Sequence, residues 1–483
     1  MFRFRYIAAA ALCAAVPALA APVSGAPLGF DEARALLHER ADILQADRAE
    51  IARAEAEAEA AKSLSGPRIE ADVKQIWGTK TIDLSMDTGL GAMGAQLGGA
   101  LASLAPTQEA GQALAGQLGS TFGKLNHINI HHKMDIGGPR AALTATLPIY
   151  TGGLITAEQE ALRHKAGETR ADRDIRESQL DADLAGKYWG VQLARSVESL
   201  RASMLRDQEE EVRRARRFEK KGLISKIERM AVEVARDRAK RELINAETNT
   251  RVAETQLMKA LRETSLPALS SPLFVISGDI GTLTEWQDRA RAQSPVVQKM
   301  NALRAQAGEG VRAAEASFKP KLYAFGTKNL IKHYLTIPEP DWMAGIGVTF
   351  TLWDNRDRFD KLNAANAVVS KAEAARSEAL NEISTAVEVA FLRTAQAREE
   401  FDLTGSTVAL ARENLRLREA SFAEGLSTAT DVDTARTQLI GAEIARRAAA
   451  YKFVVSWAML HAASGSMPAF ADTLTRADLT AVH

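Results

Sequence analysis

The chain has 483 residues, enough for two to four ordinary domains, and 61 basic residues balance 61 acidic ones to a formal net charge of zero. That balance leaves no basic footprint for nucleic acid and no acidic tail. Aromatics are only 6% of the chain while alanine abounds, which points to long helices with small residues at their contacts, not to a bulky globular core.

Residues 1–20 read as a secretory signal peptide. MFRFRY is basic, IAAAALCAAV is apolar, and Ala18-Leu19-Ala20 meets the small-x-small cleavage rule. The apolar stretch is short for a spanning helix, which needs roughly 20 residues. Cys13, the single cysteine, falls inside it, and Leu12 before it does not suit lipidation. A mature chain without cysteine or disulfide is therefore expected. No later stretch is apolar for about 18 residues, so no transmembrane helix is expected, although strands could still enter a membrane.

A helical stretch is predicted over residues 30–64, ended by Pro67 in SGPRIEADV. RIEADVKQIW, residues 68–77, then alternates. Ile69, Ala71, Val73 and Trp77 fall on one side, and Arg68, Glu70, Asp72 and Lys74 on the other. A Gly- and Ala-rich insertion, roughly 80–126, is expected to form an external loop. In NHINIHHKMD, His127, His131 and His132 make a metal site conceivable, but Ile128, Ile130 and Met134 alternate with polar residues. The segment reads better as an extension of the next strand, ALTATLPIY (142–150), where Leu143, Ala145, Leu147 and Ile149 alternate with Thr144, Thr146 and Pro148. LPIYTGGL then launches a helix from Ile155 to about Phe218. A Gly-Leu break in KKGLIS and a return helix follow.

The second half repeats this layout. A helical stretch at 283–317 ends at Pro320, and KLYAFG forms a less clean strand with Tyr323 and Phe325 on one face. In WMAGIGVTFTLW (342–353), Trp342, Ala344, Ile346, Val348, Phe350 and Leu352 share one face, and Gly345, Gly347, Thr349 and Thr351 take the other. A second long helix runs from Asp360 to about Phe422, breaks at EGLST, and returns to near His461. Leu147 and Phe350, Tyr150 and Trp353, Gly222 and Gly425, and Glu228 and Asp431 are all 203 residues apart. The chain is thus a tandem duplication, with a period far beyond the 20–50 residues of solenoids. The expected division is residues 21–270 for the first repeat, 271–465 for the second and 466–483 for a C-terminal tail.

Each long helix spans over 60 residues, roughly 95 Å at 1.5 Å per residue. Leu180, Leu184, Tyr188 and Val191 form one seam and Leu193, Val197, Leu200 and Met204 another. Two seams suggest neighbours on both sides, as in a cylinder wall; the alternative is a two-stranded coiled coil. The strands, at about ten residues, match the length that crosses a bilayer at a tilt. Tyr150 and Trp353 stand at one end and Trp77 and Trp342 near the other, where amphipathic rings suit the two lipid–water boundaries. The alternative is a soluble sheet packed on helices. Four strands cannot close a barrel, and lipid excludes open sheet edges. The reading therefore requires oligomerisation: eight strands from two copies, twelve from three. The charged and threonine-bearing face suits a water-filled pore.

In this duplicated order, FDEARALLHERADILQADRAEIARAEAEAEAAKSLSGPRIEADV, LPIYTGGL, RFEKKGLISKIERMAVEVA and SFAEGLSTATDVDTARTQL resemble the TolC-like outer membrane efflux protein family over nearly all of the mature chain. The resemblance implies an α+β membrane protein: a homotrimer whose 12-stranded β-barrel, four strands per chain, continues into a helical tunnel. It would lie in the outer membrane of a Gram-negative bacterium and extend into the periplasm. It would act as the passive exit duct of a tripartite efflux or type I secretion system, meeting an inner-membrane pump through a periplasmic adaptor, with no catalytic centre and no cofactor. Carried over by position, Gly222, Leu223 and Ser225 and their counterparts Gly425, Leu426 and Ser427 are expected to meet the adaptor. Asp431 and Glu228 are expected to line a constriction. Local chemistry offers a plainer role for each: glycine caps and helix-start carboxylates favoured by the dipole. Thr434 stands where the family often has a second acidic residue, and copy one has one more residue between Phe218 and Gly222 than copy two has between Phe422 and Gly425. A periplasmic adaptor and a coiled-coil scaffold are the other functions compatible with the long hairpins. No P-loop, dinucleotide fingerprint, H-E-x-x-H or nucleophile elbow is present.

Overall fold

A computed structural model describes residues 27–85, 129–331 and 340–482. The signal peptide, His127 and most of the 80–126 insertion lie outside them. In chain order the elements are α1 (Phe30–Arg40), α2 (Asp42–Ala61), β1 (Arg68–Ser85), β2 (Asn129–Tyr150), α3 (Leu154–Lys220), α4 (Lys226–Leu261) and β3 (Leu273–Ile276). Then come α5 (Leu283–Gln293), α6 (Pro295–Ala316), β4 (Lys321–Asn329), β5 (Trp342–Thr349), α7 (Asp357–Ala423), α8 (Ala429–Ala463) and β6 (Leu479–Val482). The two long helices have 67 residues each, about 100 Å at 1.5 Å per residue.

The chain forms two compact units, and each draws segments from both sequence copies. The unit of residues 47–173 and 295–380 holds an antiparallel sheet of order β1-β2-β4-β5. Its helices pack through small side chains: Ala54, Ala61, Ala157, Ala166, Ala171 and Ala316 are buried. Alanine allows close helix approach at little side-chain entropy cost. Ion pairs Lys299–Asp172 (2.7 Å) and Arg304–Glu373 (3.1 Å) join helical segments at the surface.

The ends of β1 and β5 differ from the sequence reading. β1 runs on to Ser85, paired residue for residue with β2, whose start at Asn129 includes the positions of His131 and His132. β5 stops at Thr349, short of the expected 353, because Thr349 pairs with Lys321, the first residue of β4. Beyond it Phe350, Leu352 and Trp353 are exposed and have no neighbouring strand among the described residues. Near the end of β2 the register slips by one between Pro148 and Tyr150, which pair with Tyr323 and Leu322. Proline cannot donate to a ladder, and a bulge is where a sheet tolerates it.

The other unit, residues 27–46, 174–294 and 381–482 among those described, contains an aromatic core, against the expectation from the low aromatic content. Phe30, Tyr188, Trp189, Phe274, Phe453 and Phe470 are fully buried there. Phe30 lies 4.5 Å from Trp189 and 5.4 Å from Phe470, centroid to centroid. The polar handles are satisfied as burial requires: Tyr188 Oη donates to the Leu28 carbonyl at 2.7 Å and Trp189 Nε1 to that of Pro272 at 2.8 Å. The C-terminal segment is part of this core. After α8 a 3₁₀ stretch, Met467–Thr475, leads to β6, which pairs antiparallel with the buried β3.

Both predicted helical stretches are split. Between α1 and α2, Ala41 is extended, with Arg40 paired to Glu263 at 2.6 Å and Asp42 to Arg262. These tertiary contacts have no local sequence signal. Between α5 and α6 the cause is local: Pro295 opens α6, and its ring keeps Ser294 out of the helical region.

Candidate functional site

Two surfaces carry the candidate residues. The first is the four-stranded sheet. Residues directly opposite in antiparallel strands point to the same side, so the register sorts the two faces. Arg68 faces Thr146 and Glu70 faces Thr144; Thr146 and Thr144 in turn face Phe325 and Thr327. Phe325 and Tyr323 face Gly345 and Gly347. This is the polar face, and along β1 it pairs its charges internally: Arg68 with Glu70 at 2.7 Å and Lys74 with Asp72 at 2.9 Å.

The opposite face is apolar and bare. Ile69, Val73, Trp77, Leu143, Leu147, Ile346 and Val348 are all exposed, Val73 to 75% and Trp77 to 80%. So large a contiguous apolar patch marks an interaction or membrane surface. The bulge moves Tyr150 onto this face, opposite Leu322; strict alternation would have placed it with the threonines. Trp342 lies on it too, opposite Lys328. Trp77 and Trp342 share the face but not a row, since the ladder sets Trp342 level with Ala71 through Lys328 and Leu143. Trp353 lies past the strand and is 82% exposed.

The second surface is the pair of helix turns. α3 and α7 end in matching Schellman motifs: Leu223 N–H donates to the Phe218 carbonyl at 2.9 Å, and Leu426 N–H to that of Ser421 at 2.8 Å. Gly222 and Gly425 hold the left-handed position, with φ of 77° and 76°. A side chain there would be strained. Phe218 and Ser421 are themselves 203 apart, so the two turns are in register. The apparent extra residue of copy one is only a displaced phenylalanine. Leu223 and Leu426 are exposed, to 66% and 78%.

The return helices start alike. Ser225 Oγ accepts from Glu228 N–H at 3.2 Å, while the Glu228 carboxylate accepts from Ser225 N–H at 2.7 Å. Thr428 and Asp431 repeat this capping box, and Asp431 Oδ2 also accepts from the hydroxyls of Thr428 (2.8 Å) and Ser427 (3.2 Å). The backbone N–H and hydroxyl of Thr428, then the Ser427 hydroxyl, hold the Asp431 carboxyl below the usual range. Both carboxylates therefore serve the cap. Thr434 donates to the carbonyl of Thr430 at 2.8 Å. Between the turns and the helices lies a cavity of about 610 Å³, lined by Phe218, Ile224, Val232, Phe422, Asp433 and Arg436 among others. Sequence reading missed Gln208, which is buried beneath this region and hydrogen-bonded to Asp433. It sits on the polar stretch of α3, where no motif marks it.

Among the described residues, no cluster of His, Cys, Asp and Glu is placed to hold a metal, and no helix is long and apolar enough to cross a membrane.

Residues 286–466 match the family model described as Outer membrane efflux protein. No curated protein matches the chain in sequence. In fold it is similar to a membrane protein from Pseudomonas aeruginosa, with a TM-score of 0.70 at 13% identity over 90% of this chain and 93% of that one. It is likewise similar to the Campylobacter jejuni CmeC outer membrane channel (0.67, 13%, 91% and 86%) and to the open state of the Neisseria gonorrhoeae MtrE outer membrane channel (0.66, 16%, 91% and 89%).

Proposed function

We propose that this chain, which resembles the outer membrane efflux proteins in sequence over residues 286–466 and in fold over nine-tenths of its length, is the outer-membrane duct of an export system. One observation carries the reading. A four-stranded sheet exposes an apolar face, carries Arg68, Glu70, Asp72 and Lys74 on the other face, and leaves β1 and β5 as open edges among the described residues. In lipid an open edge leaves backbone N–H and C=O groups unpaired at several kcal/mol each, so the sheet must close. β1 and β5 run in opposite directions, and β5 of one copy can pair antiparallel with β1 of the next. Three copies would close twelve strands around the polar face.

The helical unit supports the same assembly. On α7, Leu403, Leu410 and Leu417 recur every seven residues and are exposed, the first two to 70%. On α4, Ile227, Met230, Val234 and Ile244 are exposed as well. Apolar seams of this spacing seek helices of a neighbouring copy. The turns would be the docking end: Leu223 and Leu426 are bare, and the cavity beside them has an apolar floor and charged rim suited to an adaptor's helical hairpin. Asp431 and Glu228 would sit at the tunnel's narrow end. No bond-making centre enters this reading: the duct would work by shape, wetting and charge.

Fractionation tests it. The protein should stay in the outer membrane through salt and alkaline washing, and its detergent-solubilised mass should correspond to three subunits. A soluble or monomeric product rejects the duct. A periplasmic adaptor would be released by the washes.

A further inference from the structure

The polar face of the sheet holds two large rings that a water-filled pore does not require. Tyr323 and Phe325 are opposite Gly347 and Gly345 on β5. The rings lie across those glycines. A Cβ on Gly347 would stand 2.5 Å from Tyr323 Cζ, and one on Gly345 would stand 3.2 Å from Phe325 Cζ. Glycine at both positions is what lets the rings lie down on the neighbouring strand. Their centroids are 6.1 Å apart at 44°. Tyr323 remains 39% exposed. The β1 charges on this face are paired, Arg68 with Glu70 and Lys74 with Asp72, two strands away from the rings, while Lys321 shares the face next to Tyr323. Beside the rings on β2 stand Thr146 and Pro148, which carry no charge.

We propose that Tyr323 and Phe325, cradled on Gly347 and Gly345, form an aromatic contact site inside the duct for planar aromatic solutes. The site rests on the duct reading, which makes the polar face the lumen. An aromatic face carries negative potential and attracts cations, and any flat π-system can stack on it without a fitted pocket. Each subunit contributes one such pair, so a closed barrel presents a ring of them. A passing aromatic solute is held weakly and by several equivalent platforms, which permits release onward, as conduction through successive sites requires.

The test is single-channel conductance of the purified full-length protein in planar bilayers. The probes are a planar phenanthridinium dye and, as a non-aromatic cation of equal charge, tetraethylammonium. The dye should block the current at lower concentration than tetraethylammonium. Tyr323→Leu and Phe325→Leu, which keep an apolar side chain over each glycine, should each raise the half-blocking dye concentration about two- to fivefold and leave the tetraethylammonium value unchanged. Tyr323→Phe should behave as the parent. Equal dye block in the parent and both leucine variants, with normal conductance, overturns the site and leaves the duct standing. Parallel shifts for both cations also overturn it, since they report a changed pore shape. A protein that forms no conducting channel removes the duct and the site together.

Discussion

Asp431 has an observed task as a helix cap and a proposed one at a constriction. Its Oδ2 accepts from Thr428 and Ser427, so its local task is to start α8. Removing the cap hydroxyl in Thr428→Ala should cost about 1 kcal/mol, read as roughly fivefold faster amide exchange in the first turn of α8. The pH dependence follows from the direction of the shift. The folded carboxyl titrates below its ordinary value of 3.8. Its stabilisation is therefore complete above that value and is lost as the pH falls through the lower folded value. Exchange protection at the turn, corrected for intrinsic exchange, should fall over that acid range in the parent and stay flat in Asp431→Ala. A constriction role adds a second readout: three symmetry copies would concentrate negative potential, so Asp431→Ala should also weaken block by multivalent cations in planar bilayers. Unchanged block would leave Asp431 a capping residue only.

At the scale of elements, proline and glycine placed most of the punctuation. Pro67 and Pro320 precede β1 and β4, and the glycines at 222 and 425 end the long helices. These are backbone-level signals, local in sequence, and so legible. Pro295 carried the same signal and splits the predicted 283–317 helix into α5 and α6. The break at Ala41 and the β3–β6 pair could not be read this way. Leu273–Ile276 is four residues long, and its partner is over 200 residues away. A run so short is ambiguous by periodicity alone. The structure makes it a central element: Phe274 is fully buried, 5.7 Å from Trp189 and 6.4 Å from Phe453. Phe274→Ala should cost about 3–5 kcal/mol through lost burial and the cavity left behind. The expected sign is a lower melting temperature followed by near-UV circular dichroism, while Leu426→Ala at an exposed turn should leave melting unchanged. Equal melting of Phe274→Ala and the parent would mean that this aromatic cluster does not hold the unit together.

For the whole molecule, the decisive property is incompleteness. An exposed apolar sheet face, strand edges left open among the described residues and leucines repeating along α7 are costly on a lone chain, and together they call for further copies. Leu403→Glu with Leu410→Glu should convert the proposed trimer into single subunits in detergent, measured by light scattering. Substitutions at truly solvated positions stay within about 0.5 kcal/mol, so an unchanged trimer would show that this stripe faces water.

Legible in the sequence alone were the 203-residue spacing of matching segments, the long helices, the alternation of the strands and the two glycine turns. These follow from covalent geometry and from periodicities of 3.6 and 2 that every short window carries. Tertiary structure alone decided which residues share a row of the sheet, that a bulge at Pro148 turns Tyr150 to the apolar face, and that Tyr323 and Phe325 lie over Gly347 and Gly345. It also gathered a scarce set of aromatics into one core around Trp189. Register and core membership depend on partners tens to hundreds of residues distant, and no local pattern encodes the identity of a partner.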